Sequence, residues 1–250
     1  MFNPISNNEK QFILQSLIKS NLREGRRGME EYRQIKIRKL EENGQVEVRL
    51  GETLVIAQIF AKMIAPSKER PNEGVIVFSV DSNNLRPNAE FTQSNEDLNE
   101  FRNKLGNLLD KSLKEAKSLD ANSLCIVPGK LIWKVVIDIN IINNDGNLFD
   151  ACTIASLASW MTFKIPFLRK SGNKIEIPAD PQLIHLSTLH VPLSVTIGLF
   201  DDNSRYIVDP NLKEEKCMDG FVIVSANKFG EICYMHTYGE VKIESDAIRE

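Results

Sequence analysis

Residues 131–163, LIWKVVIDINIINNDGNLFDACTIASLASWMTF, decide how this 250-residue chain is read. Leu131, Trp133, Val135, Ile137, Ile139 and Ile141 alternate with Lys134, Asp138 and Asn140, and with Ile132 and Val136 between them. A period of two puts the first set on one face of a long strand. Asn143-Asn144-Asp145-Gly146 then turns the chain. Asp150 to Phe163 is predicted to be a helix rich in Ala and Ser. Ala151, Ala155 and Ala158 allow close packing, so this helix is expected against sheets. Trp133 and Trp160 are expected in the core.

Three strand-like runs lie upstream. Gln34 to Leu40 alternates Ile35 and Ile37 with Lys and Arg, Gln45 to Leu50 alternates Val46, Val48 and Leu50, and Thr53 to Phe60 is rich in β-branched residues. Gly51-Glu52 makes the turn of an antiparallel meander. Gly74 to Val80 (GVIVFSV) is apolar enough to read as a central strand. Asn83 to Asn95 is a polar loop, and Glu96 to Lys117 is the clearest helix. Leu98, Phe101, Leu105, Leu108, Leu109 and Leu113 form one face of it. Ser123 to Val127 is a short strand closed by the Pro128-Gly129 turn.

The N-terminal Asn7 to Leu22 has helical spacing, with Asn7 or Asn8 as its cap. Arg23 to Arg33 (REGRRGMEEYR) reads as a charged loop. Its Arg23, Arg26 and Arg27 either face RNA or a partner, or are simply solvated. Lys164 to Pro192 holds four prolines and is the expected linker between two halves. Beyond it, Leu193 to Phe200, Arg205 to Val208, Phe221 to Ala226 and Glu231 to His236 read as strands, with Asp202-Asn203 and Asp209-Pro210-Asn211 among the turns. The expected organisation is 1–32 (N-terminal helix and loop), 33–165 (first half), 166–188 (linker) and 189–250 (second half).

Composition narrows function only coarsely. Lys and Arg total 31 against 34 Asp and Glu, a net charge of −3, with 42% hydrophobic residues. This is a globular chain and not a strongly basic nucleic-acid binder. No stretch reaches the roughly 18 apolar residues of a membrane span, so no membrane role is expected. Cys125, Cys152, Cys217 and Cys233 are far apart and read as reduced, mostly buried thiols. The three histidines show no zinc spacing with them. Gly129-Lys130 lacks the upstream glycine of a phosphate-binding loop. A calcium loop centred on Gly146 would need Ile141 and Cys152 as ligands. Pattern alone therefore stops at an intracellular α+β protein.

Longer segments carry more. Ser123 to Trp133 (SLCIVPGKLIW), Asp138 to Ser156 (DINIINNDGNLFDACTIAS) and Val208 to Asn227 (VDPNLKEEKCMDGFVIVSAN) together resemble the RNase PH superfamily. Arg33 to Val80 fits its opening strands. The branch most resembled is that of the non-catalytic RNase PH-like ring subunits of the eukaryotic RNA exosome, of the polymyositis/scleroderma autoantigen type. The resemblance runs from about Asn7 onward. It implies an RNase PH-type α+β fold (ribosomal protein S5 domain 2-like), with mixed sheets, packed helices and two related halves.

It also implies where chemistry would sit. Active relatives shorten RNA from its 3′ end with phosphate as the attacking group. They follow the Asp-Gly turn with Gly-Thr-Arg, whose Thr and Arg bind phosphate; this chain has Asn147-Leu148-Phe149 there. Their two metal-binding aspartates fall at Lys213 and Asp219, of which only Asp219 is retained. A cation at 213 opposes Mg²⁺ binding, although Glu214 and Glu215 stand beside it. The implied reading is no catalytic residue, no metal and no cofactor, with the phosphate-dependent 3′-to-5′ exoribonuclease as the alternative. Arg102, Lys104, Lys111 and Lys114 are the candidate RNA contacts, or else a solvated helix face. Implied partners are other RNase PH-like exosome subunits (a heterodimer, then a hexameric ring), RNA-binding cap subunits and RNA. The implied locations are nucleus, nucleolus and cytoplasm. Relatives continue into another C-terminal helix, without which the second half is expected to expose an apolar face.

Overall fold

A computed structural model describes residues 6–23, 25, 27–82, 95–171, 174–176, 178, 180–201 and 204–239. Most of the expected Asn83–Asn95 loop, the Asp202-Asn203 turn, Arg26 and the C-terminal residues 240–250 lie outside them.

Helix α1 (Asn7–Ser20) is capped by Ser6, whose hydroxyl accepts from the Glu9 N–H. The meander follows as β1 (Ile35–Lys39), β2 (Val46–Leu50) and β3 (Thr53–Ile64). The long strand β6 (Leu131–Asn143) pairs antiparallel with β3 from Leu54↔Asn143 to Ile64↔Ile132. Val135, Ile137, Ile139 and Ile141 are fully buried on its inner face, as the period of two requires. Strand β5 (Cys125–Val127) pairs with its start.

Strand β4 (Val75–Asp81) corrects an expectation. It pairs parallel with β6, and the order β1-β2-β3-β6-β4 leaves it at the sheet edge. Its apolar run has another cause: helix α2 (Asn95–Leu109) lies against it. The last turns of that helical segment, Asp110–Glu115, are π-helical.

Helix α3 (Leu148–Thr162) begins two residues earlier than expected. It packs on β2, β3 and β6 on one side and on β11 (Leu193–Phe200) on the other. Ala151, Ala155, Ser159 and Trp160 are all fully buried there. Buried hydroxyls cost free energy unless bonded. Those of Thr153 and Ser156 donate to the Phe149 and Cys152 carbonyls at 2.9 and 2.7 Å. The Trp160 indole N–H reaches the Ser187 carbonyl at 3.1 Å.

Residues 164–192 are not plain linker. They hold β7 (Lys164–Pro166) paired with β10 (Leu183–His185), and β8 (Arg169–Ser171) paired with β9 (Lys174–Glu176). The second half is a four-stranded antiparallel sheet, β12-β11-β13-β14. Its other strands are β12 (Arg205–Val208), β13 (Gly220–Ala226) and β14 (Ile232–Gly239), with the short helix α4 (Leu212–Glu215) between β12 and β13. A small second core of Ile13, Leu17, Phe200, Ile207 and Cys217 seats α1 on this half. All four cysteines are free, with Cys152 and Cys217 buried. Among the described residues no helix is long and apolar enough to cross a membrane.

Candidate functional site

The β6–α3 turn is where the two halves meet. Gly146 has φ +86°, and a Cβ there would lie 2.5 Å from the backbone of Asn211 and Leu212. Only glycine admits both the conformation and the close approach. The Leu212 N–H then donates to the Asp145 carbonyl at 3.1 Å, joining the halves by backbone.

Around this contact lies a buried polar cluster. Asp209 is fully buried at its centre. Its carboxylate accepts from the Arg33 N–H, Nε and Nη2 at 2.9, 2.8 and 2.8 Å. It also accepts from Arg27 Nη1 at 3.0 Å and Asn147 Nδ2 at 2.8 Å. Burial alone raises this carboxyl, but the bonds and charge of Arg33 outweigh it and hold Asp209 below the usual carboxylate range.

Beside it, Arg23 and Glu214 form a fully buried bidentate pair at 3.0 and 2.8 Å. The Arg23 guanidinium also donates to the Val208 and Asp209 carbonyls, both at 2.8 Å. Glu214 completes a capping box with Asn211 at α4. Arg23 therefore neither faces solvent nor offers itself to RNA. Arg27 is half-buried against Asp209. Both correct the reading of a solvated or RNA-facing loop.

At the start of α3, Asp150 is fully buried without a cation. It accepts from Tyr32 Oη at 2.8 Å, Asn147 Nδ2 at 2.8 Å, and the Thr196 N–H and Oγ1 at 2.9 and 3.0 Å. Burial still pushes its carboxyl up to about 6. The Asn147 N–H, at the N-cap of α3, donates to Glu215 Oε1 at 2.6 Å. Burial pushes Glu215 up to about 7. A helix N-terminus is an anion site by its dipole and free N–H groups. Here one of the chain's own carboxylates takes that N–H.

The residues singled out from sequence fall apart spatially. Leu148 and Phe149, at the start of α3, are packed in the main hydrophobic core, 7% and 6% exposed. Lys213 sits on α4 and pairs with Glu9 of α1 at 3.4 Å. Asp219 is exposed before β13, and its N–H donates to the Leu199 carbonyl at 2.9 Å. Among the described residues no group of three His, Cys, Asp or Glu is placed to hold a metal ion.

The candidate RNA contacts are scattered too. Arg102 pairs with Asp81 at 3.3 Å, Lys104 with Glu100 at 2.7 Å and Lys114 with Asp110 at 3.1 Å. Lys111 is exposed, and its charge lowers the neighbouring His236 after burial has done so. The roles of Arg33, Asp150 and Asp209 in this cluster were missed from sequence. The one local signal was the Asn211-x-x-Glu214 spacing of a capping box.

Residues 31–166 match the model of the 3′ exoribonuclease family, domain 1 (RNase PH), and residues 190–250 match its domain 2. The chain belongs to this family. Within it, the chain is homologous to exosome complex component RRP45. It is 35% identical over 247 residues to RRP45A of Arabidopsis thaliana, covering 96% of this chain and 79% of that one. It is 30% identical to the Rattus norvegicus protein, covering 98% of this chain, and spans only 56% of that relative's length. It is 33% identical to the Schizosaccharomyces pombe protein over 96% and 82% of the two chains. The fold matches an archaeal exosome core with a TM-score of 0.79 at 23% identity, covering 97% of this chain and 90% of that chain. Rice Rrp46 matches at 0.58 and 16%, over 91% and 90% of the two chains.

Proposed function

We propose that this chain is a non-catalytic structural subunit of the exosome's RNase PH-like ring, supporting 3′-to-5′ RNA processing and degradation. The observation that carries this is the burial of Leu148 and Phe149 in the hydrophobic core. Phosphorolysis needs preorganised donors and cations on the transferring phosphoryl group. At these two positions the chain has only apolar side chains turned into packing. Among the described residues, the adjoining corner's arginines are all engaged. Arg23, Arg27 and Arg33 are shared among Glu214, Asp209 and Asp145. Lys213, engaged with Glu9, is no metal ligand.

The units supporting this role are the halves 33–165 and 189–250. The partners are a catalytic-type RNase PH-like relative, in a heterodimer that grows to a hexameric ring, and RNA-binding cap subunits. RNA contact by this chain in the assembled ring rests first on Lys111, which has no carboxylate partner among the described residues. Arg102, Lys104 and Lys114 contribute less, being already paired. The sites of action are the nucleus, nucleolus and cytoplasm. The test is co-expression with RNase PH-like exosome subunits and native mass spectrometry. The expected result is a one-to-one heterodimer that enters a six-membered ring. A chain that stays monomeric or self-associates in their presence overturns the proposal.

A further inference from the structure

The sheet of the second half carries its polar residues inward and its apolar ones outward. In β11, Ser194 and Thr196 are buried toward α3. The Thr196 hydroxyl donates to Asp150, and Ser194 bonds Ser225 of β13 at 2.6 Å. The period of two then sends Leu193, Val195 and Ile197 to the other side. The register extends this face across the sheet. Leu193 stands opposite Ala226, and Ala226 opposite Ile232. Val195 stands opposite Val224, and Val224 opposite Met235. Ile197 lies between Val208 and Val222.

None of these residues belongs to either hydrophobic core. Leu193 is 59% exposed, Ile232 50% and Met235 36%, so they stand open to solvent. The sheet of the first half is ordinary by contrast. On its side away from the buried Val48, Val55, Val135 and Ile137 it presents Glu47, Arg49, Lys62, Lys134 and Asp138.

Charge and size name the occupant. No Lys, Arg, Asp or Glu stands in the apolar rows. RNA phosphates would meet no cation there, and a charged peptide no countercharge. Four strands at ~4.8 Å spacing, each about seven residues at ~3.4 Å, span about 19 by 24 Å. That is roughly 450 Å², the size of a patch that marks an interaction site. Phe229, in the turn that joins Ala226 to Ile232, extends it toward the roughly 800 Å² that each partner gives to a stable interface. An α-helix is only about 10–12 Å wide, so one helix would leave half of the face in water. A sheet laid face to face, about 10 Å away, covers all of it.

We propose that the outer face of β11, β12, β13 and β14 packs sheet against sheet on an equally uncharged, apolar sheet face of a second RNase PH-like chain. The inference rests on the ring reading for its partner and adds the surface that meets it.

The test is hydroxyl-radical footprinting of the free chain and of the complex purified with its RNase PH-like partners, without RNA. Native mass spectrometry of the Leu193→Lys, Ile232→Lys and Phe12→Lys chains with the same partners accompanies it. In wild type, oxidation of Leu193, Ile232 and Met235 should fall about fivefold or more on assembly. Each lysine variant replaces an exposed side chain and should melt within about 4 °C of wild type. Leu193→Lys and Ile232→Lys place an unpaired charge against the partner and should weaken pairing about 100-fold or more. Phe12→Lys, on the exposed side of α1, should leave pairing unchanged. Should a lysine variant fail to fold, the wild-type footprint decides. Unchanged oxidation in the assembled wild type overturns the inference while leaving ring membership standing. So does pairing that survives Leu193→Lys and Ile232→Lys, or that Phe12→Lys weakens equally. A wild-type chain that enters no complex overturns the ring proposal, and this one with it.

Discussion

The corner at Gly146 and the groove lined by β4 and α2 are both polar and both lie at a helix, yet they are opposite in state. In the corner, Asp209 accepts five hydrogen bonds and Arg23 binds Glu214 with both fully buried. In the groove, Asn103 and Asn107 are exposed, and a Cβ at Gly106 would meet nothing within 4 Å among the described residues. A saturated site holds the fold together and has little left for a ligand. In this chain the corner is a joint between the two halves.

The largest way to break the contrast is to remove the joint's centre. Asp209→Ala strands Arg33 and part of Asn147 in a buried place, and should cost about 3–5 kcal/mol. Urea unfolding should show it as a lower midpoint. A loss below about 1 kcal/mol would mean that the corner is loose and hydrated. Such a corner would again be open to anions.

A pH titration sharpens the same point. Asp150 and Glu215 sit at about 6 and about 7, above their ordinary 3.8 and 4.5. The folded chain therefore takes up protons before the unfolded chain does. Stability should rise by about 2–4 kcal/mol as pH falls from 8 to 5. Asp209 works in the opposite direction. Its carboxyl lies below its ordinary 3.8, so the stability it contributes is present above that value and lost on further acidification. Calorimetric melting should thus peak near pH 5. A monotonic fall from pH 8 downward contradicts the buried state of Asp150 without a cation beside it.

The remaining effects are smaller and belong to the open side. Gly106→Ala should stabilise the free chain by about 1 kcal/mol, read by urea unfolding. A destabilising result would give Gly106 a role inside the chain. Lys111→Ala in the assembled ring should weaken RNA binding severalfold in a filter-binding assay, with no change in melting temperature. Arg102→Ala should do less to RNA, because its charge is already met by Asp81.

Much of the fold was legible because its signals are local. The alternation of Val135, Ile137, Ile139 and Ile141 marks β6, and the Ala-Ser helix after it packs between the sheets as its small residues predict. The edge position of β4 was not legible. A strand covered by a helix and a strand flanked by two neighbours both read as apolar runs. The corner was hidden for another reason. Arg23 and Glu214 are 191 residues apart, and a lone arginine in a glycine-rich charged stretch looks solvated until its partner is placed. The expectation of degeneracy at Leu148 and Phe149 came only through family resemblance. The structure buries both side chains in the main hydrophobic core.

The most direct measurement is phosphorolysis of a 3′-tailed RNA by the purified chain, alone and paired with a catalytic-type relative, each with and without Asp219→Asn. The account predicts no phosphate-dependent release of nucleoside diphosphates by the chain alone, and release by the pair that Asp219→Asn leaves unchanged. Release by the chain alone that Asp219→Asn abolishes would contradict it.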